Sequence, residues 1–196
     1  GHALLIAARD GNIRKINSLL KSGTPVDYTT PGSYTPLAYA TARGHLRAAS
    51  LLLKNGADIN KKGRFDKSPL LLVAGSKHFK SAKFLVDRGA DIKAIQWHKA
   101  TCLHEAALWH QPKNLKFFAD IGVDPNIVVG NGSSPLHWTI WRANNDDESS
   151  LETAKTLINI LLEAGAKKSL KTNNGETAHD LAKNKGLDEI AAMLKP

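Results

Sequence analysis

The segment Thr35-Pro36-Leu37 decides the fold, because variants of it return at intervals of 33 residues as Ser68-Pro69-Leu70, Thr101-Cys102-Leu103 and Ser134-Pro135-Leu136. Glycines that follow apolar runs keep the same period, at Gly23, Gly56, Gly89 and Gly122. A fixed period of this length is the signature of a repeat protein in which each unit is one supersecondary element. The chain is therefore expected to be a stack of similar units.

The period slips once, toward the end of the chain. Gly165 follows Gly122 after 43 residues, and Thr177-Ala178-His179 follows Ser134-Pro135-Leu136 by the same distance. Since both markers shift by ten residues, one insertion near 143–152 explains them. We expect one domain over 1–196, and its repeats span 1–29, 30–62, 63–95, 96–128, 129–171 and 172–196.

Each unit has the pattern of two short antiparallel helices. Thr or Ser can cap the first helix, and Pro suits its first turn. The second helix carries apolar residues at helical spacing and ends at a glycine, which can adopt the left-handed conformation. In the insertion, Ser149 and Glu152 fit a capping box, which predicts a helix from about Ser150 to Glu163. Neither helix can bury its apolar face alone, so the units must stack.

These segments resemble the ankyrin-repeat motif, Gly-x-Thr-Pro-Leu-His-x-Ala-Ala followed by Leu-Leu-x-x-Gly-Ala-Asp-Ile-Asn. The chain supplies Leu103-His104-Glu105-Ala106-Ala107 for the first part and 52–60 for the second. The resemblance covers the whole chain and implies an all-α ankyrin-repeat solenoid of six stacked helix-turn-helix units with short β-hairpin-like loops. It also implies that His104 and His137 are structural and bond the backbone of neighbouring hairpins.

Residues that could carry catalysis or bind a metal are scarce. The one cysteine, Cys102, rules out an internal disulfide, suits a reducing compartment and has no base near it in the repeat register. The sequence contains no His-Glu-x-x-His motif, cysteine pair or Asp-rich calcium loop. We therefore expect no enzyme activity, catalytic residue, cofactor, metal site or small-molecule substrate.

The formal net charge of +9 is concentrated in one half of the chain. Residues 1–99 contain 17 Lys and Arg against 6 Asp and Glu, whereas residues 100–196 contain 10 against 12. Neither a recognition-helix motif nor a single-strand stacking platform accompanies this charge, so nucleic acid is not the expected partner. An acidic protein or peptide fits better. The sequence has no apolar run as long as a membrane span. An intracellular location, cytoplasmic or nuclear, is expected, which suits the single cysteine.

The resemblance also predicts where a partner binds, because hairpin tips and the ends of first helices line a concave groove in ankyrin proteins. By register, the candidate residues are Tyr34, Arg43, Arg64, Phe65, Lys67, Trp97, His98, Leu108, Trp109, Trp141 and Arg142. Aromatic residues and Arg dominate the energetics of protein interfaces. Trp138 is instead assigned to the core. We predict a groove that runs from the basic second and third repeats to the aromatic fourth and fifth and binds a peptide with acidic residues and an apolar anchor.

Two functions from different classes remain open. The first is a protein–protein interaction module. The alternative is the substrate-targeting arm of a larger enzyme, or of a secreted bacterial effector that acts on host proteins, which would place it in the host cytosol. A catalytic domain in adjacent sequence would separate them, since the residues considered above would bind a protein in either case.

Overall fold

The structure is a computed structural model that describes residues 1–96 and 98–195. In that part of the chain, the helices are α1 (His2–Arg9), α2 (Ile13–Lys21), α3 (Pro36–Ala42), α4 (Leu46–Lys54), α5 (Pro69–Ala74), α6 (Phe79–Val86), α7 (Cys102–Leu108), α8 (Pro112–Asp120), α9 (Pro135–Arg142), α10 (Glu148–Glu163), α11 (Ala178–Asn184) and α12 (Asp188–Met193). The described residues contain no strand, and one isolated β-bridge joins Lys171 to Thr177. Two successive helices make each of six repeats, so the all-α prediction is confirmed.

The chain divides into two compact units, Gly1–Trp97 and His98–Pro196, called here the N-terminal and the C-terminal unit. In the N-terminal unit the first helices α1, α3 and α5 pack side by side, and α2 packs on α4. In the C-terminal unit α7, α9 and α11 pack in the same way, and α8 packs on α10. Each unit buries its own apolar core, which includes Leu37, Leu52 and Leu70 in the first and Leu103, Phe118 and Ile140 in the second. That the chain is one domain remains a prediction.

The caps of the first helices follow the sequence signals. In the N-terminal unit, Oγ1 of Thr35 accepts a hydrogen bond from the amide of Ala38 at 3.1 Å. In the C-terminal unit, the amide of Thr101 donates to Nδ1 of His104 at 3.2 Å, which leaves Nε2 to donate to the carbonyl of Ser133 at 3.3 Å. His137 makes the corresponding hydrogen bonds one repeat later. The expectation that both histidines bond neighbouring hairpins is confirmed.

The insertion differs in detail from the prediction. α10 begins at Glu148, and Oδ1 of Asp147 caps it by accepting the amide of Ser150 at 3.2 Å. The capping box predicted at Ser149 was therefore wrong, although the predicted end at Glu163 is confirmed. A carboxylate is a strong cap because its charge also interacts favourably with the helix N-terminus.

Candidate protein-binding surfaces

The Phe65 tip, residues 63–67, is the hairpin turn of the third repeat. The amide of Gly63 donates to the carbonyl of Lys67 at 3.0 Å and closes the turn. The next amide, of Arg64, donates to the carbonyl of Ser33 at 2.8 Å, which joins this tip to that of the second repeat. The backbones approach so closely that a Cβ at Gly63 would lie 2.8 Å from Cα of Tyr34. Backbone hydrogen bonds within the tip and to the second repeat therefore hold its conformation.

Two consecutive residues of this tip adopt the left-handed conformation, Phe65 with a φ of 58° and Asp66 with a φ of 59°. By register the second repeat has Gly32 at the position of Phe65, and glycine adopts this conformation without steric cost. For other residues it costs roughly 1–2 kcal/mol. Packing within the chain covers only part of this side chain, because Phe65 is 51% exposed. Backbone strain of this kind clusters at functional sites.

Charged residues flank Phe65 in the chain. The guanidinium of Arg64 lies 4.4 Å from the centroid of the Phe65 ring. The carboxylate of Asp66 forms an ion pair with Nζ of Lys62 at 2.7 Å. Of the other predicted residues, Lys67 ends the tip and is partly buried, Tyr34 is partly buried beside the tip, and Arg43 is exposed at the C-terminal end of α3. The structure therefore brings together four of the five described residues that were predicted for this unit.

The C-terminal unit exposes two tryptophans. Trp109, which follows α7, is 52% exposed, and Trp141 in α9 is 66% exposed. Neither side chain makes a hydrogen bond or ring contact with a described residue. Leu108 is partly buried, and His98 is exposed with its carbonyl accepting the amide of Gly130 at 3.2 Å. Trp97, the remaining predicted residue, lies outside the described residues.

Trp138 and Trp141 lie three residues apart on α9, so they share a face of that helix. They line a pocket of about 190 Å³, called here the indole pocket, together with Asn131, Ser133, His137, Thr172, Asn173, Asn174, Glu176 and Leu181. Trp138 is only partly buried, and its ring meets that of His104 edge to face at 5.1 Å. Its assignment to the core was therefore wrong in part.

The opposite wall of the indole pocket is formed by the hairpin tips of the fifth and sixth repeats. The amide of Asn173 donates to the carbonyl of Asn131 at 2.8 Å, and its side-chain amide donates to the carbonyl of Gly130 at 3.2 Å. The predicted site residues did not include these asparagines. The sequence could have indicated this wall, because the shift of 43 residues found for other markers places Asn174, which also lines the pocket, in register with Asn131.

Lys185 holds the C-terminal end of α9. Its Nζ donates to the carbonyls of Ile140 at 3.1 Å, Trp141 at 2.9 Å and Ala143 at 2.7 Å. Burial lowers the pKa of this ammonium group, and the carbonyls left unpaired at a helix end are good partners for a cation. Lys185 therefore anchors the backbone that presents Trp141.

Arg142 follows Trp141 in sequence but does not line the indole pocket. Arg142 lines a different, polar pocket of about 350 Å³ with His110, Asn144, Asp147, Ser149, Ser150 and Thr153. Burial lowers the pKa of His110, which adopts a φ of 52°. The predicted binding residues of this unit consequently do not form one continuous cluster.

Other kinds of site were considered for the described residues. In that part of the chain, no group of three or more His, Cys, Asp or Glu side chains is placed to hold a metal ion. Cys102 is completely buried. Each described helix is too short or too polar to cross a membrane.

Comparisons with known proteins agree with this geometry. Residues 2–63 match the family model described as ankyrin repeats (3 copies). The chain is also similar to an ankyrin repeat domain from Acinetobacter baumannii, with 28% identity, a TM-score of 0.80 and coverage of 97% of this chain and 95% of that one. The described chain therefore has the fold of an ankyrin-repeat solenoid, and its N-terminal segment matches the ankyrin-repeat model in sequence. Ankyrin repeats are generally protein–protein interaction modules, and the fold is typically non-catalytic.

A second similar structure extends the likeness in fold. It is a chain of the complex between a predatory endopeptidase and an immunity protein from Bdellovibrio bacteriovorus. The TM-score is 0.81 at 22% identity, with coverage of 99% of this ankyrin-repeat chain and 97% of that one. No curated protein matches the chain in sequence.

Proposed function

We propose that this ankyrin-repeat protein binds a protein or peptide through the tips and first-helix ends of its repeats. The observation that carries the proposal is Phe65, a half-exposed aromatic ring in a left-handed turn. Arg64 lies over the ring but about half of the residue stays exposed, so burial by a partner would offset more of the strain. The proposal covers Tyr34, Arg43, Arg64, Phe65 and Lys67 in the N-terminal unit and His98, Leu108, Trp109, Trp141 and Arg142 in the C-terminal unit.

The charge of the N-terminal unit supports an acidic partner for the Phe65 tip. Residues 1–97 contain 16 Lys and Arg against 6 Asp and Glu. Arg64 lies directly on the exposed ring, so a partner with an apolar side chain beside a carboxylate would contact both groups. Complementary charge mainly speeds association and selects the partner, while the buried ring supplies affinity.

The C-terminal unit supports binding through its exposed indoles. Trp is among the residues most enriched at interface hot spots, and Trp109 and Trp141 leave more than half of their surface uncovered. A chain of the same fold occurs in the endopeptidase–immunity protein complex, so this architecture is compatible with a protein partner. The binding role would be the same in a module that acts alone and in the targeting arm of a larger enzyme or effector.

Selection of random 16-residue peptides on the immobilised protein tests the proposal. We expect enriched peptides to combine acidic and apolar residues, and Phe65→Ala to weaken their binding at least tenfold by surface plasmon resonance. Arg47→Ala, which removes an exposed charge on α4, is the matched control and should leave affinity within twofold. Trp109→Ala with Trp141→Ala tests the C-terminal unit in the same way. Enriched peptides that bind all folded variants equally would refute the proposal.

A further inference from the structure

We infer that the indole pocket receives an arginine side chain of the bound peptide, with its guanidinium on the indole of Trp141 and near the carboxylate of Glu176. This inference rests on the proposed function, because it names the partner residue that one of the proposed surfaces recognises. It also assigns the C-terminal unit a preference opposite in charge to that of the Phe65 tip.

The charge of the pocket is the first argument. Among its described lining residues, Glu176 is the one acidic residue, and no Lys or Arg is present. Burial lowers the pKa of the lining residue His137, which keeps that imidazole neutral. Oε1 of Glu176 accepts a hydrogen bond from the side-chain amide of Asn184 at 2.9 Å, which orients the carboxylate. A carboxylate has about four acceptor positions, so most remain available. No Lys or Arg of the described residues forms an ion pair with Glu176.

The aromatic wall is the second argument. An indole is the best ring for a cation–π contact, and Trp141 is 66% exposed with no cation of the described residues over it. The N-terminal unit provides two internal examples of the contact. The guanidinium of Arg88 lies 3.8 Å from the centroid of the Phe84 ring, and that of Arg64 lies 4.4 Å from the Phe65 ring.

The size and chemistry of the pocket favour arginine over other ligands. Its volume of about 190 Å³ suits one side chain, since pockets for whole small molecules usually span about 300–1,000 Å³. A planar guanidinium can stack on a ring and hydrogen-bond a carboxylate at once, which the compact lysine ammonium does less well. Asn174 lines the same pocket, and its side-chain amide makes no hydrogen bond with a described residue. It can therefore hydrogen-bond the backbone of the peptide.

The experiment uses a defined probe, acetyl-Gly-Gly-Arg-Gly-Gly-amide, and matched peptides with Lys, Leu or Glu in place of Arg. The ¹⁵N-labelled protein is titrated at constant ionic strength while the indole N–H resonances are followed, with Trp138→Phe and Trp141→Phe assigning the signals. We expect the Arg peptide to shift the Trp141 resonance saturably, with the Lys peptide at least threefold weaker and the Leu and Glu peptides at least fivefold weaker.

Variants locate the binding. Trp141→Ala and Glu176→Gln should each weaken the Arg peptide at least threefold, and the second keeps the size of the side chain and its bond to Asn184. Glu163→Gln is the control, because it removes an exposed carboxylate at the end of α10 without touching the pocket. Equal binding of the Leu and Arg peptides, no saturable shift, or unchanged affinity in folded Glu176→Gln would each overturn the inference. The selection of 16-residue peptides tests the proposed function independently of this titration. Failure of the arginine inference is therefore distinguishable from failure of the proposed function.

Discussion

The two units build the same helix pairs but connect successive hairpins differently. Both use a backbone hydrogen bond between tips, from Arg64 to Ser33 in one and from Asn173 to Asn131 in the other, each at 2.8 Å. The C-terminal unit adds buried imidazoles that reach the next hairpin from His104 and His137. The aligned positions of the N-terminal unit hold Ala38 and Leu71, which fill space without a polar link. One register position can therefore provide either apolar packing or a titratable connection.

The exposed surfaces of the units differ as well. Residues 1–97 have a formal balance of 16 Lys and Arg against 6 Asp and Glu, while residues 98–196 have 11 against 12. The N-terminal unit presents Phe65 under the guanidinium of Arg64, whereas the C-terminal unit presents Trp141 at a pocket that Glu176 also lines. The same scaffold thus supports surfaces that should select partner groups of opposite charge.

Mild acid should have the largest effect, because it should lower the free energy of unfolding of the C-terminal unit. Burial lowers the pKa of His104 from 6.5 to about 4, against a smaller opposing effect of its bond to Ser133. The unfolded chain takes up a proton near pH 6.5 and the folded chain does not, so stability is complete above that pH and falls as the pH drops toward 4. Between pH 7.5 and 5 we expect the free energy of unfolding of the C-terminal unit to fall by about 2 kcal/mol. Urea unfolding followed by tryptophan fluorescence measures it.

The matched control for this prediction comes from the chain itself. His104→Leu copies the residue that the third repeat holds in register, Leu71. The variant should lose much of the pH dependence, and the lowered pKa values of His137 and His110 should leave a remainder. A wild-type protein with equal urea midpoints at both pH values would contradict the proposed role of the buried histidine.

Removing the lysine that caps α9 should have the next largest effect. Lys185→Met deletes three charge-assisted hydrogen bonds and leaves helix-end carbonyls without that partner. We expect the C-terminal unit to lose about 1.5 kcal/mol in its free energy of unfolding, from urea midpoints at pH 7.5. Lys183→Met, an exposed neighbour on α11, should change it by less than about 0.5 kcal/mol. Equal effects of the two variants would exclude a specific cap.

Relieving the strained turn should have the smallest effect, and in the opposite direction. Phe65→Gly copies Gly32 of the second repeat and should raise the free energy of unfolding of the N-terminal unit by up to about 1 kcal/mol. Phe65→Ala keeps the left-handed strain and should gain nothing. Circular dichroism during urea unfolding compares the two variants. If Phe65→Gly is destabilised relative to Phe65→Ala, the turn is not under the strain that its φ indicates.

Much of this molecule could be predicted from the repeat register alone. The helix pairs, the caps at Thr35 and Ser68 and the two structural histidines all follow from local signals on a fixed period. The indole pocket was only half predicted. Trp141 was identified, but Trp138 was assigned to the core and Glu176 was not recognised as a lining residue. The cap of α9 by Lys185 was not recognised either. Glu176 and Lys185 lie 35 and 44 positions from Trp141 in sequence, and nothing local marks them as its neighbours.

The sequence by itself determined the architecture, because the 33-residue period repeats the caps, turns and apolar faces that form each helix pair. It also determined which residue types occupy the tips. Only the tertiary structure decided which of those side chains meet. Arg142 and Trp141 are adjacent in sequence yet line different pockets, because successive side chains on a helix point about 100° apart and face different neighbours. Lys185 reaches the end of α9 because α11 packs against that helix. Such contacts depend on the packing of one repeat on the next, which no single repeat encodes.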